Sequence, residues 1–165
     1  ALLFSERINP RPVMFGGTGS ESISLDMPDF YPDALEAGTL AFPAISSLLE
    51  GVGYLSGRGE SIGKELLSMT EYFLDGLKKL SSFRAYSVPN PCGIAAFGHR
   101  DVQSEFLAQE LSESYSVAVR GGLHCAPLMH RALKTEEDGL VRVSFSHFNR
   151  KREIDVLLSA LKKMN

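Results

Sequence analysis

The chain has 165 residues, 44% hydrophobic and 22% charged, with a formal net charge of −3. This is the composition of an ordinary globular domain, long enough to hold a core without staples. It offers no basic footprint for nucleic acid and no apolar run long enough to span a bilayer, so neither a nucleic-acid nor a membrane partner is expected. The opening Ala1-Leu2-Leu3-Phe4 has no positively charged lead and no small-residue cleavage site, so it is not read as a signal peptide. It reads as the middle of a strand, which suggests an excised piece of a longer protein. The two cysteines, Cys92 and Cys125, are too few for a disulfide framework, and reduced thiols in the cytoplasm are expected.

Two short strands are predicted at Leu2–Phe4 and Val13–Phe15, around the turn-like Asn9-Pro10-Arg11-Pro12. A glycine-rich loop, Gly16-Gly17-Thr18-Gly19-Ser20, follows, then an irregular stretch as far as Gly38-Thr39. Pro43 suits a first helical turn, and Ile45, Leu48, Leu49, Val52 and Leu55 recur at helical spacing. Gly57-Arg58-Gly59 breaks that helix. A second runs from about Glu60 to Leu80, with the stripe Ile62, Leu66, Leu67, Met69, Phe73, Leu74 and Leu77.

Strands are predicted at Arg84–Val88, Ile94–Phe97, Val117–Val119 and Leu140–Phe145. Helices are predicted over Asp101–Ser112, with Asp101 at its start, from Pro127, and through Ile154, Leu157, Leu158 and Leu161. The expected fold is α/β: a small α+β domain with a mixed or antiparallel sheet covered by helices on one side.

The stretch with chemical content is Arg120-Gly121-Gly122-Leu123-His124-Cys125-Ala126-Pro127. A strand ends at an arginine, two glycines open a tight loop, and a proline begins a helix just after a cysteine. A helix start and a fixed cation both favour thiolate, the nucleophilic form of Cys125. His124 is able to exchange a proton near neutral pH. A buried, inert cysteine is the alternative at this point. A zinc site is not expected, because His124, Cys125 and His130 lack further ligands at useful spacing. No metal is expected elsewhere.

Arg-Gly-Gly-x-His-Cys-Ala-Pro-Leu resembles the persulfide-cysteine loop of cysteine desulfurases, in the class V aminotransferase branch of the fold type I pyridoxal-phosphate enzymes. Gly16-Gly17 with Ser20 is similar to the family's glycine loop, and Glu36-Ala37-Gly38-Thr39 to its Glu-x-Gly-Thr motif. Leu140-Val141-Arg142-Val143-Ser144, Phe148-Asn149 and Glu153-Ile154-Asp155 are similar to its closing strand and last helix. The motifs fall in family order over nearly the whole chain. Departures are Thr18-Gly19 in the glycine loop, Leu40 after the Glu-Ala-Gly-Thr motif, and Gly121-Gly122-Leu123 before the histidine.

The resemblance implies that residues 1–41 end a large cofactor domain, 42–81 are linking helices, and 82–165 form a small C-terminal domain. It implies that Cys125 takes sulfur from L-cysteine as a persulfide and passes it to an acceptor protein. Arg142, Arg120, His124 and Asn149 would face the substrate. Thr39 and Gly38 would meet the phosphate of pyridoxal 5'-phosphate held by the partner subunit of a homodimer. The lysine that anchors the cofactor is expected upstream of Ala1, because none of Lys64, Lys78, Lys79, Lys134, Lys151, Lys162 and Lys163 sits in a matching loop. The isolated chain is therefore expected not to turn over cysteine. A selenocysteine lyase or a related lyase or epimerase is the alternative within the branch. A non-catalytic dimerisation or docking domain is the alternative outside it.

Overall fold

A computed structural model describes residues 2–165. The chain divides into two compact units, Ala1–Tyr54 and Leu55–Asn165. The division falls inside the segment expected to link domains.

The first unit is mostly irregular. Among the described residues its regular elements are a 3-10 turn, Asp33–Leu35, and helix α1, Phe42–Leu55. Tyr31 ties the middle of the unit to its opening stretch. The phenol donates to Asn9 Oδ1 and to Pro10 O, the latter at 2.8 Å, and the ring meets Phe4 edge-on at 5.5 Å. The two strands expected at Leu2–Phe4 and Val13–Phe15 do not form. A strand needs a ladder partner for its backbone groups, and these segments have none. Leu3 and Val13 are accordingly 93% and 92% exposed. Helix α1 forms where the apolar spacing predicts it, yet buries none of its residues.

The second unit carries the core. It runs α2 (Gly59–Leu77), β1 (Phe83–Ala85), β2 (Ile94–His99), α3 (Ser104–Tyr115), α4 (Pro127–Leu133), β3 (Val141–Ser144) and α5 (Lys151–Lys163). The strands form an antiparallel sheet in the order β1-β2-β3, with Ala85 opposite Phe97, Phe97 opposite Val141 and Ala95 opposite Val143. Because strand side chains alternate, these residues share one face. That face is buried under α2, α3 and α5. Phe73 of α2 meets Phe97 and Phe145 with ring centroids 5.6 Å away in each case, and Leu107, Leu111, Ile154, Leu157 and Leu161 close the layer. Each such side chain removed from water contributes about 1.5–3 kcal/mol. The second unit adopts the expected small α+β fold covered by helices on one side, and of the mixed or antiparallel sheet expected it forms the antiparallel one.

Two expectations are corrected here. Val117–Val119 is not a strand; the chain meets β3 only at a bridge between Arg120 and Arg142. Helix α3 starts at Ser104, with Gln103 at its cap, rather than at Asp101. The Asp101 amide is turned to His99 Nδ1 at 3.0 Å, and the helix start is fixed instead by the Ser104 amide donating to Asp138 O at 3.0 Å. At α5 the Arg150 amide donates to Glu153 Oε2 at 2.7 Å. This capping bond, with help from Asn149, holds the Glu153 carboxyl below its usual range.

Candidate functional site

Arg120 is fastened beside β3 by two main-chain bonds. Its amide donates to Arg142 O at 3.1 Å, and the Arg142 amide donates to Arg120 O at 2.7 Å. The chain then turns through Gly121 and Gly122, the latter at φ +97°. A Cβ on Gly121 would stand 2.4 Å from Ser104 O, so only glycine allows this approach to α3. The Leu140 amide donates to Gly122 O at 3.1 Å and ties the loop to the start of β3.

His124 and Cys125 follow in the left-handed region, at φ 54° and 59°. For side-chain-bearing residues this costs about 1–2 kcal/mol each, and it persists only where the surroundings impose it. Nothing in the local sequence announces the pair. Cys125 is a free, exposed thiol. Arg120 Nη2 is directed at its sulfur from 3.7 Å, a charged donor aimed at the atom that would carry negative charge. Cys92 is also free and exposed, in a different loop whose amide is bound by Asn90 Oδ1 at 3.1 Å.

The His124 ring is oriented by Leu140 O, 2.8 Å from Nε2. A carbonyl only accepts, so Nε2 carries the hydrogen, and in the neutral ring Nδ1 is a bare lone pair. That Nδ1 is buried without a partner. Burial pushes the His124 pKa below its ordinary value, the Leu140 carbonyl opposes the shift, and the nearby Arg142, Arg120 and His130 add to it. His130 is itself buried, its ring 5.9 Å from that of His124 and its Nδ1 2.9 Å from Thr135 Oγ1.

Arg142 alternates with Val141 and Val143 and so lies on the sheet face away from the helices, opposite Ala96. Its Nε is buried with no hydrogen-bond partner. The structure thus gathers Arg120, His124, Cys125 and Arg142. It engages Asn149 elsewhere: Oδ1 accepts the Ser146 amide at 2.8 Å and Nδ2 donates to Glu153 at 3.4 Å, which shapes the turn into α5. Gly38 and Thr39 belong to the first unit, where Gly38 at φ +86° donates to Gly17 O at 2.9 Å and Thr39 is exposed. Sequence reasoning missed Ser104, whose hydroxyl receives the Gly122 amide at 3.0 Å, and Thr135, which holds His130. A lone serine near a helix start carries no signal of such a contact. Among the described residues no group of acidic, histidine and cysteine side chains is placed to hold a metal ion. No helix among them is long and apolar enough to cross a membrane.

Three comparisons bear on this arrangement. The family model described as Aminotransferase class-V matches residues 3–157. A probable cysteine desulfurase of Methanothermobacter thermautotrophicus is 31% identical over 159 residues, which cover 93% of this chain and 40% of that protein. The apo cysteine desulfurase of Thermococcus onnurineus NA1 superposes with a TM-score of 0.77 at 26% identity, over 93% of this chain and 39% of that one. The C-DES protein, solved with glycine covalently linked to its PLP cofactor, shares the fold with a TM-score of 0.59 at 19% identity, over 79% of this chain and 31% of that one. The chain spans about two fifths of the length of the curated relatives it matches. With the motifs in order and the family model matching almost the whole of this chain, residues 3–157, the chain belongs to the class-V aminotransferase family.

Proposed function

We propose that the chain is the thiol-bearing portion of a pyridoxal-phosphate-dependent cysteine desulfurase, which converts L-cysteine to alanine and holds the sulfur as a persulfide on Cys125. The observation that carries this reading is the exposed Cys125 thiol on a left-handed backbone with Arg120 Nη2 3.7 Å from its sulfur, in the same cluster as Arg142, whose buried Nε has no partner among the described residues.

In this reading Arg142 and Arg120 grip the substrate carboxylate, a task suited to the rigid two-pronged guanidinium. The unpartnered Nε of Arg142 is a donor held in reserve for that anion. The Cys125 thiolate attacks the substrate sulfur. A sulfur–sulfur bond forms and the substrate carbon–sulfur bond breaks. The carbon regains a proton, so cysteine and thiol become alanine and persulfide with atoms and electrons balanced. His124, tied to Leu140 and with its protonation disfavoured by burial, anchors the backbone just before the nucleophile. Because Cys125 is exposed, an acceptor protein is able to reach its persulfide.

Pyridoxal phosphate, when bound, supplies the electron sink for cleavage at the substrate. On this chain Thr39, with Gly38, is the residue for its phosphate, across a homodimer. The anchoring lysine does not fit here. Every lysine is exposed, and several are engaged on helix surfaces, Lys64 with Glu60 at 2.6 Å, Lys78 with Asp75 at 2.8 Å and Lys151 over the Tyr72 ring at 4.1 Å. The chain alone is therefore expected to release no alanine.

The test has two arms. Iodoacetamide labelling of the chain at mildly acidic pH, read by peptide mass, should modify Cys125 severalfold faster than Cys92, and Arg120→Met should narrow the gap. In the whole protein supplied with pyridoxal phosphate and L-cysteine, the Cys125 peptide should gain the mass of one sulfur atom, and Cys125→Ser should abolish alanine release. Equal labelling of the two thiols, or persulfide forming elsewhere, would sink the reading.

A further inference from the structure

Ser104 stands 21 positions before Cys125 in the numbering and only 2% exposed, at the first turn of α3. Its hydroxyl donates to Asp138 O at 2.7 Å and accepts the Gly122 amide at 3.0 Å. Neither partner is able to reverse its role, so the hydroxyl proton has one direction. The Ser104 amide also donates to Asp138 O, at 3.0 Å. One residue therefore holds the two segments that border the site, the Gly121–Gly122 turn and the approach to β3.

From there the bonds run on toward the thiol. The Leu140 amide donates to Gly122 O at 3.1 Å, and His124 Nε2 donates to Leu140 O at 2.8 Å. The path from α3 thus ends one residue before Cys125. Both glycines that pack on Ser104 are held close: a Cβ on Gly121 would lie 2.4 Å from Ser104 O, and one on Gly139 would lie 2.5 Å from Ser104 Oγ. Gly122 is buried, and among the described residues its amide has Ser104 Oγ as its acceptor.

We infer that Ser104 is the positioning residue of the Cys125 loop, setting where the sulfur stands relative to Arg120. Ser104 touches no reacting atom and acts through Gly122, Leu140 and His124. The role rests on Cys125 being the reactive thiol, whereas the clamp on Gly122 stands apart from any chemistry.

The experiment uses the 165-residue chain, with Ser104→Ala and Gly121→Ala as separate variants. The first removes the acceptor; the second forces the turn off Ser104 while leaving the hydroxyl in place. Two quantities are read: the ratio of iodoacetamide labelling rates, Cys125 over Cys92, and amide hydrogen exchange at Gly122 against core amides of α5. Loss of one buried hydrogen bond predicts Gly122 exchange faster by about tenfold, with the α5 amides unmoved. The labelling ratio should fall severalfold in both variants, with Cys92 as the internal standard. A Ser104→Ala chain with unchanged Gly122 exchange and unchanged ratio overturns the inference. So does a rise shared by all core amides, which reports general loosening and no positioning. Should Ser104→Ala fail to fold, an unchanged ratio in Gly121→Ala overturns it equally. If the parent chain labels Cys125 no faster than Cys92, the desulfurase reading falls while the Gly122 arm still decides the clamp.

Discussion

Replacing Arg142 by methionine tests whether the site holds a cation at the expense of stability. The backbone bridge to Arg120 and the pairing with Ala96 are main-chain features, so the substitution leaves them intact. Methionine keeps a similar stem. What disappears is a buried Nε–H that no group among the described residues satisfies. Such a group costs about 1–3 kcal/mol, so Arg142→Met should be at least as stable as the parent and is expected to gain about 1 kcal/mol. With a urea slope of about 1–3 kcal/mol/M, the midpoint should rise by about 0.3–1 M for that gain. The measurement is a urea titration followed by far-ultraviolet circular dichroism. A second readout is His124, which should titrate at higher pH once the Arg142 charge that opposes its protonation is gone. On the proposed reading, the same substitution in the whole protein removes charge-assisted bonds to the substrate carboxylate. Those are worth about 1.5–3 kcal/mol, so kcat/KM for cysteine should fall about ten- to a hundredfold. A variant destabilised by more than about 1 kcal/mol would refute the reasoning, because Nε would then have a structural partner.

Two further outcomes follow from the same geometry. The His124 pKa lies below its ordinary 6.5 in the folded chain, so the unfolded chain binds more protons between the two values. Its contribution to stability should be complete above about pH 6.5 and be lost as pH falls through the folded value; the stability difference between the parent and His124→Gln should shrink from pH 7.5 to pH 5.5, and a flat difference would contradict this. At the α2–α5 contact, a Cβ on Gly76 would stand 2.4 Å from Leu158 Cδ1. Gly76→Ala gains about 1 kcal/mol of helix propensity and loses about 1–3 to overpacking, so it should be neutral to destabilising alone but stabilising by about 1 kcal/mol in a Leu158→Ala background. Additive urea midpoints in that double-mutant cycle would show that the two residues do not collide.

The elements that could be read ahead of the structure are those whose burial repeats along the chain. The stripe through Phe73, Leu74 and Leu77 marks the buried face of α2, and the alternation of Val141 and Val143 around Arg142 puts that arginine on the outer face of β3. Local pattern failed where the decisive partner is remote. Leu2–Phe4 and Val13–Phe15 have strand-like composition and no strand to pair with. Helix α3 begins at Ser104 because Asp138, over thirty residues on, captures its amide; Asp101 has the better capping side chain and no such partner. The cysteine loop was legible as a motif, since two glycines, a histidine, a cysteine and a proline are unusual together. Its geometry was not. The left-handed pair is the centre of a turn closed by the Ala126 amide donating to Leu123 O at 2.9 Å, in a loop held by Ser104, Leu140 and Arg142, none of which adjoins it in sequence.

The contrast within that loop bears on what a sulfur carrier needs. Its first half is tied at Arg120, Gly122 and His124, each through a hydrogen bond to another element. Its second half, Cys125 and Ala126, and the first turn of α4 with Leu128 and Met129, are largely exposed. A nucleophile that only attacked a bound substrate would be served by burial, which strengthens every charge around it. A carrier must also present the captured sulfur to a second protein, which requires an open side. Tethering one half by remote bonds fixes the line of attack without enclosing the sulfur, and the left-handed pair is the short link between the tethered half and the open one. If Cys125 carries sulfur as proposed, the αL strain at His124 and Cys125 belongs to that function. Loosening the tether at Ser104 should degrade the directed attack on substrate more than transfer to a small thiol acceptor, which needs only the exposed face.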